Sequence, residues 1–415
     1  MKYDNSPVRG TKDYLPTEMS IRERVREIIL KTYKSFGFMQ IGTPILEDIN
    51  KLLGSDGGDN LKLIFKILKH GEKLDLSKPN LKESDIVDIG LRYDQTVPLA
   101  RMYANNQNEL PSPFKAIQIG YSFRADRPQH GRTRQLMQCD IDILGDSSVN
   151  AEIDILNTTA KTFYALGFRK FVVKVNDRRI LSDLIAVAGF KPEEEKEVCI
   201  SLDKLDKIGV DGVKAELSEK GYSKSAIEKL MKCVADIQNN PTKALPMLAD
   251  LGVRAEVVNE LKTVLDSVNK LATRGFKAVF DISIVRGQNY YTGLVYEFYL
   301  EGMGGACAGG GRYDNMVEKL VGKSVPAVGL GLGFEPTCLA VIEQNLLKAA
   351  EKTVAVMYRE NDDFVTVLGM VEELNKTCNA SAIMMKKNVN YQLELLRNNG
   401  FTHFCNFPDK KLKSL

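Results

Sequence analysis

The chain has 415 residues, of which 44% are hydrophobic and 27% charged, and a formal net charge of +3, a balance that fits a soluble protein of two or three domains and is too slight to announce a nucleic-acid partner. No apolar run approaches the roughly 18 residues of a membrane span and the opening MKYDNSPVRGTKDY lacks the apolar core of a signal peptide, so a cytoplasmic location with no membrane partner is expected. Seven cysteines without CxxC spacing and only three histidines (His70, His130 and His403) argue against a disulfide framework, a structural zinc site and a multi-histidine metal centre, which leaves arginines and carboxylates to carry any chemistry.

Arg9-Gly10-Thr11-Lys12-Asp13 precedes Leu15-Pro16, after which Ile21, Val25, Ile28, Ile29, Thr32 and Phe36 recur at helical spacing; an amphipathic helix ending at Gly37 is predicted. The following FMQIGTPILE reads as a strand interrupted at Pro44, a residue that cannot donate to a ladder and favours an edge or interface. The segment LRYDQTVP, Leu91 to Pro98, opens a helix running to about Asn105, with Pro98 in its first turn. By residue type Asp94 and Thr96 there read as a turn or helix cap.

Lys115 to Leu144 alternates like two arms of a hairpin. Ile117, Ile119, Tyr121 and Phe123 share one side of the first arm, and Gln118, Ser122 and Arg124 the other. In the second arm Met137, Cys139, Ile141 and Ile143 oppose Arg134, Gln138, Asp140 and Asp142. The pattern predicts one buried apolar face and one face where a cation meets acids, although an edge hairpin with a solvated polar face would alternate in the same way. The joining loop carries Arg127, Gln129, His130 and Arg132 beside Pro128 and Gly131, residue types suited to touching phosphate.

A helix over Asn150–Leu166 and a strand over Lys170–Val175 are predicted next, followed from Arg178 to about Leu271 by a charged, helical stretch with periodic Leu, Ile and Val. Its lysines read most simply as a solvated face. Strand-like AVFDISIV then leads to Arg286 and the pair Tyr290-Tyr291 in RGQNYYTG, which reads as a ligand wall or as a hairpin turn with stacked aromatics. In AGGGRYD, Ala308 to Asp314, the glycines allow close backbone approach. AVGLGLGFEP places Gly329, Gly331 and Gly333 on one face of a strand that runs into a helix at Glu335-Pro336. The tail, from about Lys352, predicts a small βαβαβ unit and a frayed basic tip at Lys410, Lys411 and Lys413.

Taken together and in this order, RGTKDYLP, LRYDQTVP, FRADRPQHGRTRQ with QCDID, RGQNYYTG, AGGGRYD and GLGLGFE resemble the histidyl-tRNA synthetases, a family of class II aminoacyl-tRNA synthetases. The resemblance implies an α+β fold, with an antiparallel six- or seven-stranded class II sheet flanked by helices. Residues 1–177 and 272–345 would form the catalytic domain, 178–271 a helical insertion, and 352–415 a shortened anticodon-binding-like α/β domain. It implies ATP with Mg2+ as cofactor, histidine and tRNA(His) as substrates, a homodimer, and no metal held by protein side chains alone.

By the same resemblance Arg124 and Arg286 are the catalytic cations and ATP ligands, with Gly331, Gly333 and Glu335 completing the nucleotide site. Asp94, Gln95, Thr96, Gln138, Asp142, Tyr290 and Tyr291 would bind histidine, and Arg127, Gln129 and Arg132 would meet the tRNA acceptor end. The chain departs from the family at Gln288 and Asn289, where RGLDYYTG is usual, and at Pro336, where an arginine normally follows the glutamate. Paralogues that keep this fold serve as regulatory subunits of ATP phosphoribosyltransferase or as histidine or tRNA sensors. Pro336 and the short tail point toward them; Arg286, the hairpin loop and AGGGRYD point toward a synthetase.

Overall fold

A computed structural model of the chain describes residues 4–54, 58–127, 133–273, 275–286, 290–347 and 352–415. They fall into two compact units. The larger comprises Val8–Thr11 and Ile28–Ala340; the smaller comprises the residues up to Pro7, Lys12–Glu27 and Val341–Leu415.

The strands of the larger unit are β1 (Met39–Gln40), β2 (Leu46–Asp48), β3 (Lys66–Leu68), β4 (Val87–Leu91), β5 (Phe114–Phe123), β6 (Gln135–Leu144), β7 (Phe171–Asp177), β8 (Phe276–Phe280), β9 (Leu294–Leu300), β10 (Ala308–Arg312) and β11 (Ala327–Gly333). Eight of these described strands form one sheet in the order β1-β5-β6-β11-β10-β9-β7-β8. Its six inner strands, β5 to β7 in that order, are antiparallel throughout. The expected count of six or seven is exceeded because a strand joins each edge in parallel, β1 on β5 and β8 on β7.

Three local expectations are corrected. FMQIGTPILE is not one interrupted strand: β1 joins the large sheet, while β2 joins β4 and β3 in a separate three-stranded sheet. Proline at 44 ends the first pairing, and Arg92 holds the connection, its Nη1 donating to the Thr43 carbonyl and hydroxyl at 3.1 and 2.9 Å. AVFDISIV stops pairing at Phe280, because Asp281 Oδ1 caps a turn by accepting from Ser283 N at 3.0 Å. The β5–β6 hairpin is not an edge, since β6 lies between β5 and β11. Its polar face is met by other parts of the chain, Gln118 Nε2 donating to Gln95 O at 2.9 Å and the Tyr313 hydroxyl to Asp142 Oδ1 at 2.6 Å, and Gln118, Ser122, Asp140 and Asp142 are all out of solvent.

The helix Pro16–Ser35 contributes Ile29 and Tyr33 to the core of the larger unit; the Tyr33 hydroxyl donates to Cys139 O at 3.3 Å, and Gly37 takes φ +82° just beyond it. From Arg178 to Leu271 the described chain is helical, with Leu184, Val198, Leu230 and Leu261 among its buried residues. In the smaller unit β12 (Thr353–Tyr358), β13 (Asn379–Met384) and β14 (His403–Asn406) are parallel, and Val354, Val356, Val367, Met370 and Cys405 form the core. The tip is not frayed: β15 (Lys413–Ser414) pairs antiparallel with β14, giving the order β13-β12-β14-β15. No described helix is long and apolar enough to cross a membrane.

Candidate active site

The site begins with a register. β6 and β11 pair so that Asp142, Asp140 and Gln138 stand opposite Gly329, Gly331 and Gly333. A Cβ on Gly329 would fall 1.8 Å from Asp142 Oδ1, and one on Gly331 would fall 3.0 Å from Asp140 Oδ1. The glycine face thus makes room for two carboxylates inside the sheet, a use of missing side chains that the period-two spacing of the strand already carried.

Burial holds these acids away from their ordinary behaviour. Asp142 is pushed up to about 7, chiefly by desolvation and in part by the charge of Asp94, against a hydrogen bond from the Tyr313 hydroxyl to Oδ1 at 2.6 Å. Asp94 rises to about 6 for the same first reason, with Arg124 opposing. Asp140 is raised well above the carboxylate range by burial and then by Asp142 and Asp94. Asp94 Oδ1 accepts from Val97 N at 3.5 Å, so the cap reading holds for that oxygen. Its Oδ2, together with Gln138 Oε1 and Asp140 Oδ1, is buried without any hydrogen-bond partner. Orphaned buried acceptors are rare, and three around one cavity suit a ligand with three donors, as an ammonium has.

The cations are positioned from elsewhere. Arg124, just after β5, donates through Nε to Tyr93 O at 2.8 Å, which aims the rest of its guanidinium into the cavity. Arg286 adopts φ +63°, a conformation costing a non-glycine residue about 1 to 3 kcal/mol and held only where the surroundings demand it. Its Nη1 meets Glu297 Oε1 at 2.8 Å, Glu297 Oε2 accepts from the Tyr299 hydroxyl at 2.7 Å, and the guanidinium lies 5.8 Å from the Tyr291 ring. A Cβ on Gly309 would fall 2.2 Å from Arg286 Nη1, so this glycine of AGGGRYD exists to let the arginine lie over β10.

These groups share one cavity of about 810 Å3. Of the residues selected from sequence, Asp94, Thr96, Arg124, Gln138, Asp142, Arg286, Tyr290, Tyr291, Gly331, Gly333 and Glu335 line it. Gln95 is the correction: it lies behind the wall, its Nε2 donating to Gln138 O at 3.1 Å and its carbonyl accepting from Gln118 Nε2 at 2.9 Å. Arg127 is exposed and outside the cavity lining. Gln129 and Arg132, like Gln288 and Asn289, lie outside the described residues. Pro336 also lines the cavity, with its Cγ so near Gly333 that a Cβ there would approach to 2.9 Å.

Several contributors were not picked out from sequence. Asp140 had a signal, since it shares the parity of Asp142. Tyr313, which orients Asp142, sat unremarked in AGGGRYD. Asp203, Asp206 and Lys207 reach the cavity from the helical segment, and no pattern announced them. Arg312 of the same box points elsewhere: it clamps Glu152 through two 2.7 Å bonds and accepts no place in the cavity.

The sequence profile described as Histidyl-tRNA synthetase matches residues 10–336. A histidine--tRNA ligase of Leifsonia xyli subsp. xyli is 41% identical over 80% of this chain and 78% of its own length. A probable histidine--tRNA ligase of Tropheryma whipplei strain Twist is 34% identical over 96% and 94%. The crystal structure of histidyl-tRNA synthetase from Nostoc sp. PCC 7120 superposes with a TM-score of 0.75 at 26% identity, covering 97% of this chain and 91% of that one. A Bacillus halodurans C structure described as an ATP phosphoribosyltransferase regulatory subunit/histidyl-tRNA synthetase reaches the same TM-score at 17% identity, over 98% of both chains, and shares the fold. With the profile matched across the whole cavity and two relatives above 30% identity, the chain belongs to the histidyl-tRNA synthetase family of class II aminoacyl-tRNA ligases.

Proposed function

We propose that the chain activates histidine with ATP, giving histidyl-adenylate and pyrophosphate, and then transfers histidine to the 3′ adenosine of tRNA(His). The observation that carries this reading is the cavity itself: three unpartnered buried acceptors, Asp94 Oδ2, Gln138 Oε1 and Asp140 Oδ1, share a wall with Arg124 and Arg286. The first set suits an α-ammonium, with Thr96 beside it, while Asp142, backed by Tyr313, and Tyr291 suit the two nitrogens of an imidazole. The Tyr290 ring lies tilted against that of Tyr291, centroids 4.7 Å apart, and lines the pocket.

In the first step a histidine carboxylate oxygen bonds to the α-phosphorus as the bond to pyrophosphate breaks. Two anions meet there, and fixed cations stabilise the charge that develops. Arg124 and Arg286 take that role, with Gly331, Gly333 and Glu335 bordering the nucleotide. Mg2+ would arrive with ATP. Among the described residues no group of three His, Cys, Asp or Glu could hold a metal, yet the carboxylate-rich lining is of the hard-oxygen type this ion prefers, so Glu335 and phosphate oxygens would hold it and it would offset phosphate charge.

The loop from Arg127 to Arg132 would face the acceptor end of tRNA, and residues 352–415 its anticodon. Domain limits of 1–177, 178–271, 272–345 and 352–415 belong to this reading. So does a homodimer, supported by the exposure of Met39, Ile45 and Leu46. A cytoplasmic location follows from the substrates. A second reading, a non-aminoacylating paralogue such as an ATP phosphoribosyltransferase regulatory subunit or a histidine or tRNA sensor, is favoured by Pro336. Histidine-dependent exchange of labelled pyrophosphate into ATP separates the two: exchange followed by charging of tRNA(His) is expected, and histidine binding without exchange would leave the sensor.

A further inference from the structure

The family normally follows the glutamate of the GLGFE strand end with an arginine, and here Pro336 brings no charge. The lining of the cavity contains eight carboxylates, Asp94, Asp126, Asp140, Asp142, Asp203, Asp206, Glu297 and Glu335, against three described cations, Arg124, Lys207 and Arg286. Arg286 is committed to Glu297 at 2.8 Å. A triphosphate entering this cavity therefore finds one fewer cation than expected, unless Lys207 serves.

Lys207 is built into the wall of the cavity. Leu202 and Leu205 are buried and pin the turn between the helices Glu195–Leu202 and Leu205–Glu219. Asp203 and Lys204 keep helical backbone angles there, and Lys207 N donates to Lys204 O at 2.8 Å, so residues 203, 206 and 207 share a face at i, i+3 and i+4. All three line the cavity. Gly209, at φ +67°, then breaks the helix and turns the chain away. Asp203, Lys207, Glu297 and Arg286 line the same cavity. Lys207 is exposed and forms no ion pair among the described residues.

We infer that Lys207 is the third polyphosphate cation of this protein, supplied by the helical segment in place of the arginine absent at 336, and that it binds the β- and γ-phosphates of ATP. Its neighbours Asp203 and Asp206 do not hold it in an ion pair, so an anion carrying several charges can claim its ammonium without breaking a bond. The inference rests on the synthetase reading for its ligand.

Two measurements test it. In pyrophosphate exchange, Lys207→Ala should raise the KM for ATP about tenfold with the KM for histidine unchanged, the scale of one charge-assisted phosphate contact at a solvent-facing position. Lys207→Arg should stay near the parent, and adding Pro336→Arg to Lys207→Ala should bring the KM for ATP back down. An unchanged KM for ATP in Lys207→Ala overturns the inference. Separately, acetylation of Lys207 with an amine-reactive reagent, read by mass spectrometry, should be slowed by ATP and not by AMP. Equal labelling with both nucleotides overturns it too. If the parent shows no exchange, the synthetase reading fails by itself, and protection by ATP over AMP still decides the role of Lys207.

Discussion

The two walls of the cavity are built in different ways. The wall of β6 and β11 is local: Gln138, Asp140 and Asp142 follow one another at period two along a single strand, and the glycines opposite them do the same. The wall of β9, β10 and the helical segment is assembled from distant pieces, because Arg286 depends on Glu297 and on the missing side chain of Gly309, while Asp203, Asp206 and Lys207 arrive from a separate helical segment. The first wall presents buried acceptors awaiting donors; the second presents one cation balanced by a neighbour, Arg286 on Glu297, and one, Lys207, that forms no ion pair among the described residues. Substituting its own residues should break the first wall through ligand affinity, and the second through rate or nucleotide dependence.

The largest effect is expected at the cation that serves between them. Arg124→Ala should lower pyrophosphate exchange by ~10² or more, the scale for one preorganised charged donor, and leave histidine binding intact. Parental exchange in that variant would remove Arg124 from the chemistry.

Asp142→Ala should weaken histidine by roughly thirtyfold or more in calorimetry, since it strands a donor at about 2 kcal/mol or above. This acid also makes binding pH-dependent. The folded pKa values of Asp142 and Asp94, about 7 and about 6, lie above the ordinary 3.8, so each group favours the fold in its protonated form. That contribution is complete below the unfolded pKa and is lost as pH rises through about 6 for Asp94 and about 7 for Asp142. A bound histidine favours the ionised acids instead, its ammonium at Asp94 and an imidazole N–H at Asp142. Histidine binding should therefore release protons and strengthen from about pH 5.5 to about pH 8, and because free imidazole titrates near 6.5, the Asp142→Asn variant supplies the comparison. A pH profile identical in both proteins would show that Asp142 does not titrate on binding.

Gly309→Ala probes the second wall. Its Cβ would meet Arg286 Nη1 at 2.2 Å, the far end of a flexible side chain, and the Tyr296 carbonyl of the neighbouring strand at 3.1 Å, so the guanidinium should move most and β9 only slightly. About a tenfold loss of exchange is expected, of the order of 1.4 kcal/mol, with thermal stability and histidine affinity near the parent. A large drop in melting temperature would instead mean that β10 itself is displaced.

The smallest effect is expected for Tyr313→Phe. It removes the 2.6 Å bond to Asp142 Oδ1, which lowers the pKa of that acid, and should cost about 1 kcal/mol, near fivefold in histidine affinity. Its pH profile should move upward with it. An unmoved profile would mean that burial alone sets Asp142.

The sequence by itself determined whatever follows from short-range periodicity. Alternation over Lys115–Leu144 placed the hairpin and put Asp140 and Asp142 on one face, and Gly329, Gly331 and Gly333 were visible as one glycine stripe. Helical spacing likewise marked Pro16–Ser35 and the stretch beyond Arg178. Tertiary structure decided whether the polar hairpin face met solvent, because the groups that meet it, Gln95 on Gln118 and Tyr313 on Asp142, come from distant parts of the chain. It also decided that Gln95 turns into the wall, that Arg312 clamps Glu152 rather than a ligand, and that Glu297 holds Arg286. Period and residue type report which face a side chain leaves by; what waits on that face is set by strand order and by loops that cross the sheet, and those contacts join positions with no spacing in common.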